Sequence, residues 1–328
     1  MGVVVDVDEL VAAARVVRLP MRVRFRGITT REALVFAGPA GWGEFGPFPE
    51  YEDAEAAHWL RAGIEAAYEG LPAPLRRTVE VNATVPAVPA DGVPAVLERF
   101  PGCRTAKVKV AEKGQTLDDD LARVAAVRKA MPGGAIRVDA NGGWTVPQAY
   151  EAITRLVADG PLDYAEQPCA TVEELAEVRR RVDGSCDVAA DESIRRAEDP
   201  MRVAELGAAD VAVVKVAPIG GVRAVLAVAD ALRAAAGVRV TVSSALDTAV
   251  GLSAGIVAAA CIEDGNAAGL GTGGFFTADL GEHPLVDGAL AVRTVVPTAE
   301  RLAAVEVFGE RRDWWLERLR RCYALLPQ

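Results

Sequence analysis

From about residue 79 onward, short β-branched runs alternate with longer Ala-, Leu- and Arg-rich stretches whose apolar residues recur every three or four positions. The runs predict strands over 79–85, 105–110, 135–140, 163–167, 187–191, 211–216, 239–243 and 267–271, with helices between most of them. Leu117, Leu121, Val124 and Val127 predict a helix over 117–130. Thr171 reads as an N-cap with Glu174 three residues later, and Gly184 and Gly237 stand where helices should stop. Eight such strands match an α/β fold of the (β/α)8 TIM-barrel type, compressed against its usual length of about 250 residues. A doubly wound open sheet ranks second, because no G-x-G-x-x-G follows an early strand.

The first 78 residues have a different rhythm: extended segments over 22–26 and 33–36, a Gly-Pro-Ala-Gly turn at 38–41 and a helix over 54–68. This predicts an α+β layer over 1–78 beside a barrel over 79–284. The aromatic stretch Trp42-Gly-Glu-Phe-Gly-Pro-Phe48, followed by Pro49, Glu50 and Tyr51, suits a lid or specificity loop, or an ordinary connection with exposed aromatics. After residue 285 the pattern returns to extended segments and then to a helix over 311–326 with Trp314 and Trp315. The tail, 285–328, is expected to pack back on the N-terminal layer.

Composition narrows the chemistry. Of 328 residues, 46 are acidic and 36 basic, a net charge of −10 without a basic patch, which disfavours nucleic acid and anionic membrane surfaces as partners. The longest apolar run, 248–262, is too short to span a bilayer, is cut by Gly251, Ser253 and Gly255, and ends at Glu263 and Asp264. Asp6, Asp8 and Glu9 stand where a secretory signal would be basic, so a cytoplasmic protein is expected. Five cysteines without a C-x-x-C pair argue against a disulfide framework and a zinc site, and two histidines leave little room for a His-centred triad. Carboxylates and lysines remain.

Those residues interrupt the apolar strands at particular places. Lys107 and Lys109 share one face of a strand. The pair alone would fit a solvated edge strand, but inside a barrel it needs anions nearby or a role in proton transfer. Asp139, Glu166 and Asp191 end three successive strands, 27 and then 25 residues apart, one βα unit per step. A single strand-end Asp is commonly an N-cap. Three in register converge at the barrel mouth and would repel strongly without a cation, and all-oxygen ligation suits Mg²⁺, or Mn²⁺. Lys215 follows on the next strand, and Ser243, Ser244 and the Gly271-Thr272-Gly273 segment offer hydroxyls and amides to a substrate carboxylate or phosphate. A divalent cation flanked by amines suits proton abstraction beside a carboxylate.

The K-x-K pair, Arg137-Val-Asp139-Ala-Asn141, Glu166-Gln-Pro, Asp191-Glu-Ser, Lys215, Ser243-Ser244-Ala-Leu246, the Gly-Leu-Gly-Thr-Gly run over 269–273 and the stretch Trp42–Phe48 make the chain resemble the enolase superfamily over nearly its whole length. Within it, the chain is most similar to the o-succinylbenzoate synthase family of the muconate-lactonising-enzyme-like subgroup. The resemblance implies a modified barrel with an N-terminal α+β capping domain completed by the C-terminal tail. It implies Mg²⁺ on Asp139, Glu166 and Asp191. Lys109 would be the base that then protonates the departing hydroxyl, Lys107 would orient it, and Lys215 would stabilise charge from the other face. Arg137, Asn141, Ser243, Ser244, Gly271, Thr272 and Gly273 would hold a small-molecule carboxylate. The implied activity is that of a lyase, a syn dehydration in menaquinone biosynthesis. N-acylamino acid racemase or dipeptide epimerase activity uses the same residues, as does muconate cycloisomerisation, and a non-catalytic barrel is a further alternative. The sequence sets no oligomeric state.

Overall fold

The computed structural model describes residues 5–25, 27–194, 199–263 and 265–327. Arg26, expected in the first extended segment, and Asp264, at the end of the apolar run, lie outside them. The N-terminal layer begins with helix α1 (Val7–Ala13) and an antiparallel sheet of β1 (Ala14–Phe25), β2 (Ile28–Gly38) and β3 (Gly41–Phe45), in that order. Helix α2 (Asp53–Ile64) covers it, and a π-helical turn follows at Glu65–Glu69 where the pattern predicted plain helix. Close approach explains the glycines here: a Cβ on Gly43 would meet the Gly63 carbonyl oxygen at 2.1 Å.

The repeat region runs β4 (Thr78–Glu80), β5 (Ala83–Val85), α3 (Val93–Leu97), β6 (Thr105–Lys109), α4 (Leu117–Ala130), β7 (Ala135–Asp139), α5 (Val146–Ala158), β8 (Tyr164–Glu166) and α6 (Val172–Val182). It continues with β9 (Val188–Ala190), α7 (Asp199–Glu205), β10 (Val211–Lys215), α8 (Val216–Ile219), α9 (Val222–Ala236), β11 (Arg239–Ser243) and α10 (Ala249–Cys261). Strands β5 to β11 form a curled parallel sheet in sequential order. Thr116 with Asp119, Thr145 with Gln148, and Thr171 with Glu174 build capping boxes on α4, α5 and α6, answering helix-end donors that packing leaves open. Gly237 stops α9 at a φ of +64°.

The predicted eighth strand is only a seam. Residues 267–269 make isolated bridges, Val81 to Ala268 on one side and Ser243 to Gly269 on the other, which close the ring. Ala267, Ala268 and Gly269 carry too little side chain to brace an extended run. A Cβ on Gly269 would lie 2.6 Å from Ser243 Oγ, so the seam needs glycine there.

The tail divides. Strands β12 (Leu285–Val286) and β13 (Ala289–Ala291) form a hairpin that pairs with β4, on the barrel side. Helices α11 (Ala299–Val305) and α12 (Glu310–Tyr323) return to the N-terminal layer. Val305, Trp315, Leu319 and Cys322 enter its core beside Leu19, Phe36, Phe45 and Trp59. A second core lies between the barrel strands and their helices. The expected return therefore starts beyond the hairpin, not at 285. Among the described residues no helix is long and apolar enough to cross a membrane; α10, the run that raised the question, is a buried helix.

Candidate active site

Hydrogen-bond register places Lys109, Asp139 and Glu166 in one row across β6, β7 and β8, and Lys107 one inward-facing position below Lys109. Asp191 follows β9 directly, and Lys215 ends β10 level with Ser243 of β11. Beyond these side chains the backbone turns sharply: Ala111, Asn141 and Gln167 have φ of 59°, 46° and 40°. Left-handed conformation costs a non-glycine residue about 1 kcal/mol, and here it lifts each loop off the strand end.

Ammonium and carboxylate groups alternate at this end. Lys107 Nζ donates to Glu166 Oε1 at 2.6 Å and lies 3.0 Å from Asp139 Oδ2. Lys109 Nζ donates to Asp139 Oδ2 at 2.5 Å and to Asn141 Oδ1 at 2.7 Å, and Lys215 pairs with Asp191. Burial opposes charge on Lys107, but Asp139 and Glu166 outweigh it and hold the ammonium pKa well above its ordinary value. Asp139 feels the same burial and is nevertheless held far below the usual carboxylate range by Lys107 and Lys109. Glu166 goes the other way, to about 7, through burial first and then the charge of Asp139.

The three carboxylates are thus paired with three lysines on neighbouring strand ends. Among the described residues no three acidic, His or Cys side chains are gathered around one point as a closed metal cage. They nonetheless fit a hard divalent cation. The donor set is all oxygen, Glu166 Oε2 is buried without a hydrogen-bond partner among the described residues, and the charges of Asp139 and Asp191, which add to burial in lifting Glu166, are what a bound cation would offset.

Supporting groups hold this end in shape. Gln167 Oε1 accepts from the backbone N–H of Asp191 (3.0 Å) and Ser193 (3.2 Å), while its amide nitrogen donates to Ser193 Oγ and the Cys169 carbonyl. Asn141 donates to Glu192 Oε1 at 3.1 Å. Gln167 and Glu192 were not expected among the site residues; their only signal is position, directly after Glu166 and Asp191 in two strand-end motifs.

The ring opens into a cavity of about 820 Å³ lined by Lys107, Lys109, Asp139, Asn141, Asp191, Lys215, Ser243, Ser244 and Thr272 among others. From the N-terminal layer Gly27 and Glu50 reach it. The rest of the 42–51 stretch does not form an exposed lid: Phe45 and Phe48 are buried, and Phe48 packs edge-on to Tyr51 and Trp59. Gly271 and Gly273 face a separate, smaller apolar pocket with Phe100, Leu252 and Phe275. Arg137 also lies away from the cavity. It donates to Asp163 at 2.7 Å and to the Ala267 carbonyl at 2.6 Å, and stacks over the Tyr164 ring. It shares the inward face with Asp139, one layer deeper, so it plugs the closed end.

Residues 95–297 match the family model described as enolase C-terminal domain-like, and residues 16–67 the one described as enolase N-terminal domain-like. An o-succinylbenzoate synthase of Mycolicibacterium smegmatis is 57% identical over 321 residues, 97% of this chain and 98% of that one. The o-succinylbenzoate synthase of Mycobacterium tuberculosis is 58% identical over 313 residues, 95% of this chain and 94% of that one. In fold the chain is similar to a muconate lactonizing enzyme from Pseudomonas fluorescens complexed with muconolactone (TM-score 0.76, 22% identity, 90% of this chain and 98% of that one). It is also similar to an N-succinyl Arg/Lys racemase from Bacillus cereus (TM-score 0.75, 18% identity, 90% and 97%).

Proposed function

Because the chain belongs to the enolase superfamily and, within it, to the o-succinylbenzoate synthases, we propose that this lyase carries out the Mg²⁺-dependent syn dehydration of 2-succinyl-6-hydroxy-2,4-cyclohexadiene-1-carboxylate to 2-succinylbenzoate, a cytoplasmic step of menaquinone biosynthesis. The observation that carries the reading is the alternation of Lys107, Lys109 and Lys215 with Asp139, Glu166 and Asp191 at one end of the barrel.

Asp139, Glu166 and Asp191 would hold Mg²⁺. When bound, the ion supplies Lewis-acid stabilisation of the negative charge that builds on the substrate carboxylate as its α-proton leaves. Lys109, aimed by Asp139 and Asn141, takes that proton in its amine form. The same ammonium then gives the proton to the departing hydroxyl on the same face, so that water leaves and the ring becomes aromatic. Lys215, on β10 across the ring from β6, lends positive charge to the opposite face. Lys107 stays cationic between Glu166 and Asp139 and keeps both in place. Ser243 and Thr272 offer hydroxyls to the succinyl end, and Thr272 Oγ1 is a buried group without a partner among the described residues, whereas the Ser244 hydroxyl is taken up by Asp247 and by the Leu246 and Asp247 N–H groups.

Purified protein supplied with Mg²⁺ is expected to consume the cyclohexadiene carboxylate, followed by loss of diene absorbance, and to stop when the metal is chelated. Lys109→Ala should lose about three orders of magnitude in rate. Absence of turnover in the native enzyme, or retained activity in the variant, overturns the assignment. Lysines on β6 and β10 also fit proton exchange at one carbon, as in N-acylamino acid racemases and dipeptide epimerases. Solvent-deuterium exchange into N-succinylphenylglycine, run beside the dehydration assay, separates the two.

A further inference from the structure

Glu44 lies on β3, in the N-terminal layer, and its carboxyl group is buried against the barrel. It accepts from the Thr248 backbone N–H at 3.1 Å, from the Thr248 hydroxyl at 2.5 Å and from the Gly251 N–H at 3.0 Å. These groups are the N-cap and first turn of α10, so donors that a helix leaves open are answered from another layer. Gly251 makes the room: a Cβ there would lie 2.7 Å from Glu44 Oε2.

A second anchor lies two residues upstream. Arg31 of β2, fully buried and 4.4 Å above the Phe48 ring, donates to the Leu246 carbonyl at 3.0 Å and to the Gly46 carbonyl. Leu246 has a φ of +64°, a conformation a bulky side chain keeps only where its surroundings impose it. Within the loop, Ser244 Oγ donates to Asp247 Oδ2 and accepts from the Leu246 N–H. Ser243, Ser244, Ala245 and Leu246 line the cavity; Glu44 and Arg31 do not.

We propose that Glu44 and Arg31 are positioning residues that hold the 243–247 loop, from the N-terminal layer, in the conformation that meets the substrate's succinyl end. The proposal rests on the cavity being the substrate site of the dehydration described above. The two anchors fix the loop backbone on either side of Asp247, so loosening one moves the Ser243 hydroxyl and the cavity wall that Ser244, Ala245 and Leu246 form, while leaving the lysines and carboxylates of β6 to β10 in place. The cost therefore falls on substrate binding.

Steady-state kinetics of Glu44→Ala, Gly251→Ala and Glu44→Gln test this. The two alanine variants should raise KM about tenfold with kcat within about threefold, and Glu44→Gln, which keeps the acceptor and the shape, should restore KM to within about threefold. Gly251→Ala adds a good helix former, so it decides the matter if Glu44→Ala folds poorly. Lower thermal stability or active fraction with unchanged KM would mark a merely structural contact and overturn the proposal. A crystal structure of Gly251→Ala gives a readout independent of turnover. A shift of the Leu246 carbonyl by about 1 Å supports the positioning role, and an unmoved loop refutes it. If the native enzyme fails to dehydrate the substrate while the loop moves as expected, it is the activity that falls, not the positioning.

Discussion

Arg137 illustrates what a single inward side chain can do once its depth is known. Its guanidinium ties Asp163, the Ala267 carbonyl and the Tyr164 ring together beneath the catalytic layer. Arg137→Met removes that cation and leaves Asp163, among the described residues, with Arg239 as its remaining ion-pair partner, 3.9 Å away. Loss of about 3 kcal/mol of stability is expected, with KM within about twofold of the native enzyme; thermal melts beside steady-state kinetics would show it, and a raised KM in a fully stable variant would return Arg137 to the substrate. Periodicity made the face of Arg137 legible, because residues two apart share a side of a strand, and it made Lys107, Lys109, Asp139 and Lys215 legible for the same reason. Depth was not, since two residues along a strand are about 7 Å and the pattern carries no mark of which layer is the mouth. Gly271 and Gly273 were misplaced by a related ambiguity: amides that suit an anion also suit a tight turn beside Phe100.

At the scale of elements, the junction of β3 with α10 couples protonation to folding. Burial, and then the charge of Asp247, push the Glu44 carboxyl up to about 8 against an ordinary 4.5, with Arg31 opposing. Between those values the folded chain keeps a proton that the unfolded chain releases. The unfolded state binds fewer protons, so stability falls as pH rises through that window. Melting temperatures measured from pH 4 to 9 should lose this part of their slope in Glu44→Gln; an identical slope in both proteins would place the titrating group elsewhere. Most elements were legible from hydrophobic period and cap residues, as Thr171 with Glu174 and the stop at Gly237 show. The coupling of Glu44 to Thr248 was not, because no local pattern joins positions 204 residues apart. The π-helical turn at Glu65–Glu69 escaped for another reason: it inserts into a helix without changing composition.

Among the described residues the molecule combines two large cores, one inside the layer that begins the chain and one around the ring, with the tail serving both, and a small third cluster of Tyr164, Ala189, Val211 and Val213. The ring itself is not equally strong all the way round. Seven strands are laced by ladders of two to five paired residues, whereas Ala268 and Gly269 each make a single bridge, closed by backbone hydrogen bonds to Glu80 and Asn82 on one side and to Val242 and Ser244 on the other. A cylinder laced this way opens by unzipping at its weakest join, and there the join runs beside Ser243 and Thr272, along one wall of the cavity. Amide hydrogen exchange should find Ala268 and Gly269 exchanging well before Val108 and Val138, whose ladders are flanked on both sides. Equal protection would mean that the join is as tight as the rest. The closure of the ring and the surface of the cavity are thus set by the same few small residues, and a bulkier side chain at Gly269 would disturb both at once.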